Sequence, residues 1–363
     1  MSALAVSAPS PLVVLSATPL RLGGQAGTRY RLRRDAPYTG HADLDAAFST
    51  FEAVVLEPSS RGPGSTPEQT AAAPVVTMLN GITVGLDRSL PVAVALAREG
   101  IGTVLLDTPF GGVRRPGPAT GDRNPSAALA EIARRSVALD VPFAGRLFDG
   151  IALDLPAALA LAAERHGLEQ AARPYVEGER SGGRVALVGV SFGALLSALA
   201  FGRDGLGQRL IGAIGHPGLP AMATGFAMSL AKAAGIPPAV VAGGAALGPI
   251  AEAAARRAGG DAAVGAFRLA RLFLRLGKGA PGVDPLAFAG RVSADRPVAF
   301  LAGEADPVAP PDAVRASAAA YATHTVETVP RLGHGWYPAG GGIFNTDLER
   351  FVLRQTAGMR DEG

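Results

Sequence analysis

Ser191 is the residue of this chain best placed to do chemistry. It stands in Gly189-Val-Ser-Phe-Gly193, after the apolar run Val185–Val188 and before the small-residue stretch Ala194–Ala200. Strand, sharp turn and helix with the serine at the apex is the context of a nucleophile elbow. The strained apex leaves no room for side chains two residues to either side, which Gly189 and Gly193 provide. The helix that follows aims backbone N–H groups and the positive end of its dipole at the same place. A serine hydroxyl is still a weak nucleophile at neutral pH. It needs a base, and the base needs an acid to fix its tautomer.

Five histidines are available. His41 lies near the N-terminus, His166 ends a helical stretch, and His324 opens a strand. The last two belong at the wrong edge of a parallel sheet. His216 and His334 each follow the carboxyl end of a strand, where ligands of such sheets bind. His334 is preferred as the base, because Gly333 and Gly335 let its loop turn the ring inward. His216 is read either as a substrate contact or as a satisfied structural histidine. Asp306 follows another strand end, in a loop stiffened by Pro307, and is the expected acid. Asp107 and Glu304 are the alternatives.

The elements that must position these groups are legible as a rhythm. From Pro74 the chain alternates Val75–Leu79 (strand), Leu90–Glu99 (helix), Gly102–Leu106 (strand), helices over Ser126–Leu139 and Leu147–His166, and the elbow strand. Alternation of this kind predicts a mainly parallel sheet covered by helices on both faces. Residues 1–70 are expected as an extension with edge strands at Arg29–Arg34 and Phe48–Leu56, with His41 and Asp43 in the turn between them. Residues 71–218 and 291–357 form the two parts of the core, and 358–363 a tail. Between them, residues 219–290 carry no strand signal and read as a helical cap, inserted before the penultimate strand. In it Phe267, Leu269, Leu272, Phe273 and Leu276 alternate with Arg268, Arg271, Arg275 and Lys278. That pattern fits a cap helix with one buried and one solvated face, or a lid that touches lipid. Thr346-Asp-Leu-Glu349 reads as a capping box for a last helix to about Gln355.

Composition removes several classes. Of 363 residues 48% are hydrophobic, and mean hydropathy is +0.24, so the chain has a large core and is not disordered. The formal net charge is only +3, the basic residues are scattered and aromatics make up 6%, so no nucleic-acid surface is visible. With no cysteine, thiolate chemistry, disulfides and Cys-ligated metals are excluded. No His/Asp/Glu cluster has metal-ligand spacing and no phosphate-loop or dinucleotide motif is present, so no metal or cofactor is expected. The first residues lack a basic segment and are broken by Pro9, Pro11 and Pro19, and no apolar run is long enough to insert stably in a membrane. The expectation is a cytoplasmic protein.

Gly189-Val-Ser191-Phe-Gly193, Gly303-Glu-Ala-Asp306 and Gly333-His334-Gly335, in that order on those elements, resemble the α/β-hydrolase superfamily. The resemblance covers residues 70–218 and 291–357, with the insert where caps occur in that superfamily. Asn80-Gly81 stands where many members carry His-Gly. The resemblance implies a Ser191–His334–Asp306 triad and an oxyanion hole of the Phe192 and Ile82 amides, with Thr83 the fallback. Asn80, Gly81, Thr83, His216 and Trp336 are expected to face the substrate. It implies a serine hydrolase acting on a small-molecule carboxylic ester, and the largely apolar cap points to an uncharged, hydrophobic acyl group. Thioester, lactone or C–C cleavage and acyl transfer are open to the same triad. A non-catalytic binding protein of this fold and a lipase working at membrane surfaces are the rival classes.

Overall fold

The computed structural model describes residues 12–35, 39–40, 42–59, 67–82, 84–114, 141–173, 184–216, 218–233, 248–277, 282–334 and 343–361. Nine strands form one sheet: β1 (Val13–Leu22), β2 (Gln25–Arg33), β3 (Thr50–Leu56), β4 (Val75–Leu79), β5 (Gly102–Leu106), β6 (Val185–Val190), β7 (Arg209–Ala213), β8 (Val298–Gly303) and β9 (His324–Val329). Their order is β1-β2-β3-β5-β4-β6-β7-β8-β9. The first three run antiparallel, with β3 against β5, and the rest are parallel. The serine strand β6 therefore sits in mid-sheet. Its Val-rich sequence is buried throughout, as a strand covered on both faces requires.

Two apolar layers enclose the sheet. On one face, Phe143, Phe148, Leu155 and Leu159 of the helix Val141–His166 pack with Leu195 and Phe201 of the elbow helix Phe192–Arg203. On the other, Val92 and Leu96 of the helix Leu90–Arg98 pack with Leu348, Phe351 and Val352 of the helix Ile343–Asp361. This is the expected sheet with helices on both faces. Two further helices, Leu219–Ala233 and Gly248–Gly277, lie between β7 and β8, ahead of the penultimate strand. The second bends at Gly259–Gly260, where Gly260 takes φ 62°. The first crosses tightly over the turn after β8, since a Cβ on Gly225 would overlap the Val308 carbonyl oxygen.

The ends depart from expectation. The N-terminal region contributes a whole hairpin, β1 with β2, rather than an extension with isolated edge strands. Asp43 and Phe48 belong to a short helix, Ala42–Phe48, because Leu44 and Phe48 bury there. At the other end, Thr346 lies inside the last helix, which starts at Ile343, and does not cap it. That helix also runs past Gln355 to Asp361, so residues 358–361 are helix and not tail; buried Met359 extends its apolar stripe. His41 and the stretch Ser126–Leu139 fall outside the described residues.

Candidate active site

Ser191 takes φ 54° and ψ −117°, the strained geometry of a nucleophile at a strand-to-helix turn. Two close approaches make it possible. A Cβ on Gly189 would overlap the Gly193 carbonyl oxygen, and a Cβ on Gly193 would overlap the Leu79 carbonyl oxygen. The backbone locks the turn: Ser191 N–H donates to Ala213 O at 2.9 Å, and Ala194 N–H donates to Ser191 O at 2.9 Å. Gly215 backs the apex from β7, where a Cβ would lie 2.7 Å from Ser191 O.

His334 and Asp306 meet this serine. Ser191 Oγ lies 2.9 Å from His334 Nε2, and His334 Nδ1 lies 2.9 Å from Asp306 Oδ2. Asp306 is buried, and its Oδ1 accepts from Val308 N at 2.8 Å and Ala309 N at 2.9 Å. A carboxylate only accepts, so the Nδ1 proton points at Asp306 and Nε2 is left to accept from the serine hydroxyl. Neither alternative acid touches His334 in this arrangement. Exposed Glu304 accepts from Arg331 N at 3.1 Å, while buried Asp107 accepts from Val113 N and Glu52 N.

The loop after β4 runs against Ser191. A Cβ on Gly81 would lie 3.3 Å from Ser191 Cβ and 3.7 Å from its Oγ, so a glycine is what lets the strand end come so near. Phe192 follows the serine as the first residue of the elbow helix, and Ile82 follows Gly81 in the loop that approaches it. The Phe192 ring goes into the core, 6.0 Å from the Phe148 ring, and leaves only its amide for the site.

Two expected substrate contacts turn out differently. The Asn80 side chain is buried and spent on its own loop: Nδ2 donates to Gly85 O at 3.0 Å and Oδ1 accepts from Ser89 Oγ. His216 is fully buried between Phe300 and Tyr321, with Nε2 3.2 Å from the Tyr321 hydroxyl. Burial alone pulls its pKa down to about 3, so it is a neutral structural histidine and not a substrate contact. Thr83 and Trp336 lie outside the described residues. His166, assigned to the far edge of the sheet, is bound there by Tyr30 Oη at 2.8 Å and Glu57 Oε1 at 2.9 Å.

The Asn80 clamp could not be seen in sequence, since an asparagine after a strand has no pattern that tells inward from outward. The Ser89 that meets it precedes Leu90-Pro91 and reads there only as the residue before a helix. Among the described residues no group of three or more His, Asp or Glu could hold a metal ion, and no helix is long and apolar enough to cross a membrane.

No protein-family model matches this chain, and no curated protein does. Solved structures match it in shape. An acetyl xylan esterase from Paenibacillus sp. R4 superposes with TM-score 0.50 at 14% identity, over 94% of this chain and 89% of its own. Acetyl xylan esterase 1 from Thermoanaerobacterium sp. JW/SL YS485 gives TM-score 0.49 at 17% identity, over 94% and 87%. Est1E from Butyrivibrio proteoclasticus gives 0.44 at 12%, over 94% and 99%. At such identities the likeness is one of fold. The fold is that of the α/β hydrolases, with the mixed nine-stranded sheet described above.

Proposed function

We propose that this chain is a serine hydrolase that cleaves carboxylic esters through an acyl-enzyme. The observation that carries the reading is the continuous hydrogen-bonded line from Ser191 Oγ through both His334 nitrogens to Asp306, starting at a serine in elbow geometry. His334 Nε2 takes the hydroxyl proton as Ser191 attacks the acyl carbon, and then gives it to the leaving alkoxide. Asp306 holds the ring in the tautomer that allows this and offsets the charge that forms on it. The amides of Phe192 and Ile82 stabilise the oxyanion, a service worth about 10²–10³ in rate per donor. Water, activated by the same histidine, then releases the acid.

The helix Leu219–Ala233 acts in this reading as part of a cap. Its 15 residues carry one charge, Lys232, and it lies over the turn that follows Asp306. An apolar ceiling of that kind favours an uncharged acyl group. That an acetyl xylan esterase shares the fold is in keeping with an ester substrate.

The test is hydrolysis of a p-nitrophenyl ester series from C2 to C12 by the native chain and Ser191→Ala. We expect turnover with an optimum chain length, and a fall of about 10⁶ in kcat for the variant. Equal rates in the two proteins would refute the proposal, and a non-catalytic binding role would take its place.

A further inference from the structure

A second buried carboxyl stands at the ligand-binding end of the sheet, and the reaction above makes no use of it. Asp107 follows β5 directly. Its Oδ2 accepts from Val113 N at 3.2 Å and Glu52 N at 3.3 Å, and its Oδ1 has no hydrogen-bond partner among the described residues. The turn it closes is tight. Gly112 has φ 50°, and a Cβ there would overlap the Asp107 carboxyl; Phe110 has φ 66°, an uncommon conformation for so bulky a residue.

This turn is the outer wall of the loop after β4. Thr108 Oγ1 donates to Gly81 O at 3.4 Å, a Cβ on Gly111 would lie 2.5 Å from Val84 O, and one on Gly85 would lie 3.3 Å from Gly112 Cα. Gly81 in turn touches Ser191. A contact path of one packed layer thus joins the Asp107 carboxyl to the loop that carries the Ile82 amide.

We infer that Asp107 is a positioning residue: as a neutral acid it keeps the turn closed against Gly81, Val84 and Gly85 of the loop after β4, and its ionisation opens the turn and frees those residues. The inference rests on the ester-hydrolase reading for its effect on turnover, though not for its effect on the loop itself. The physical reason is the orphan oxygen. A neutral carboxyl takes both N–H groups on its carbonyl oxygen and leaves only an uncharged hydroxyl without a partner, which costs far less than a charge. A carboxylate with one oxygen unsolvated in the protein interior is costly until water reaches it, and water can reach it only if the turn gives way.

The surroundings favour the neutral form over an ordinary carboxylate's range. Burial is the largest influence and pushes Asp107 up to about 7; the Val113 N–H opposes it, Glu52 adds to it, and Arg114 and the Glu52 N–H oppose it again. The charged groups around it are themselves engaged. Glu52 on β3 pairs with Arg29 of β2 at 3.0 Å, and Arg29 also holds Asp87 at 2.8 Å. Arg114 donates to the Asp107 carbonyl oxygen at 3.1 Å and pairs with Asp154 of the helix Val141–His166, which Arg34 binds from its other side.

The experiment compares kcat for p-nitrophenyl acetate from pH 5 to 9 in the native chain and in Asp107→Asn, with amide exchange of Val84 in the native chain as the second readout. Active sites are counted by fluorophosphonate labelling. Asparagine mimics the neutral acid and cannot ionise. We expect a bell-shaped native profile whose alkaline limb falls about tenfold per pH unit above the midpoint. The variant should keep only the ascending limb. Val84 N–H, which donates to Gly81 O at 3.2 Å, should exchange faster above that midpoint than base catalysis alone accounts for. Superimposable profiles in native and variant proteins would overturn the Asp107 inference while leaving the hydrolase reading intact. Should the variant not fold, protection of Val84 that is unchanged through pH 7 in the native chain would overturn it alone. Absence of labelling in the folded native chain would instead strike the hydrolase reading.

Discussion

Asp306 and Asp107 are the same residue type at the same kind of place, just past the carboxyl end of a parallel strand, and both are buried. Their surroundings set them apart. Asp306 has both oxygens occupied by short bonds, from Val308 N, Ala309 N and the imidazole of His334. Asp107 has two long bonds on one oxygen and, among the described residues, none on the other. The first environment is built for a charge and the second resists one. What a buried carboxyl can do is decided by how many donors converge on it, not by burial as such.

The contrast can be broken most forcefully at Asp306. In Asp306→Asn the Nδ1 proton loses its acceptor and the opposite tautomer is favoured, so kcat should fall about 10⁴-fold. The ester series measures it, and a loss below tenfold would mean that Asp306 does not orient His334.

A smaller effect is expected at the other wall of the loop after β4. Asn80→Ala removes the bond to Gly85 O and the partner of Ser89. The Ile82 amide then wanders without being lost. We expect kcat down by about tenfold to a hundredfold, short of deleting an oxyanion donor, with KM little changed. A rise in KM at constant kcat would put the Asn80 amide on the substrate after all.

His216 extends the comparison to a histidine. His334 has a partner at each nitrogen, whereas His216 has Tyr321 at one and none among the described residues at the other. A histidine whose pKa drops to about 3 on folding contributes stability that is present above about 6.5, its unfolded value, and lost as pH falls toward 3. His216→Asn, a residue that tolerates the φ of 62° found there, should flatten the loss of thermal stability between pH 6.5 and 3 and leave ester turnover nearly unaltered. An unchanged acid limb would mean that His216 is not the group that charges.

Sequence carried more of the Ser191–His334–Asp306 line than of its setting. Ser191, His334 and Asp306 each stand beside glycine or proline after a strand, and the alternation of strands and helices puts all three at one end of the sheet. Those are local signals, readable one at a time. Asn80, Asp107 and His216 also follow strands, but whether such a side chain turns inward depends on what packs over it. For Asp107 the cover is strand β3, which meets it through Glu52 from far upstream in the chain, and the glycine turn that follows it. The N-terminal hairpin was half hidden because Val13–Leu22 is an exposed edge strand, with little of the burial that makes strands periodic in hydropathy.

The central claim is that Ser191 is activated through His334 by Asp306. The most direct test is to react the native chain and Asp306→Asn with a fluorophosphonate and to locate the adduct by peptide mass. The account predicts one adduct, on Ser191, formed rapidly by the native chain and orders of magnitude more slowly by the variant. An adduct on another residue, or equal rates in both proteins, would contradict it.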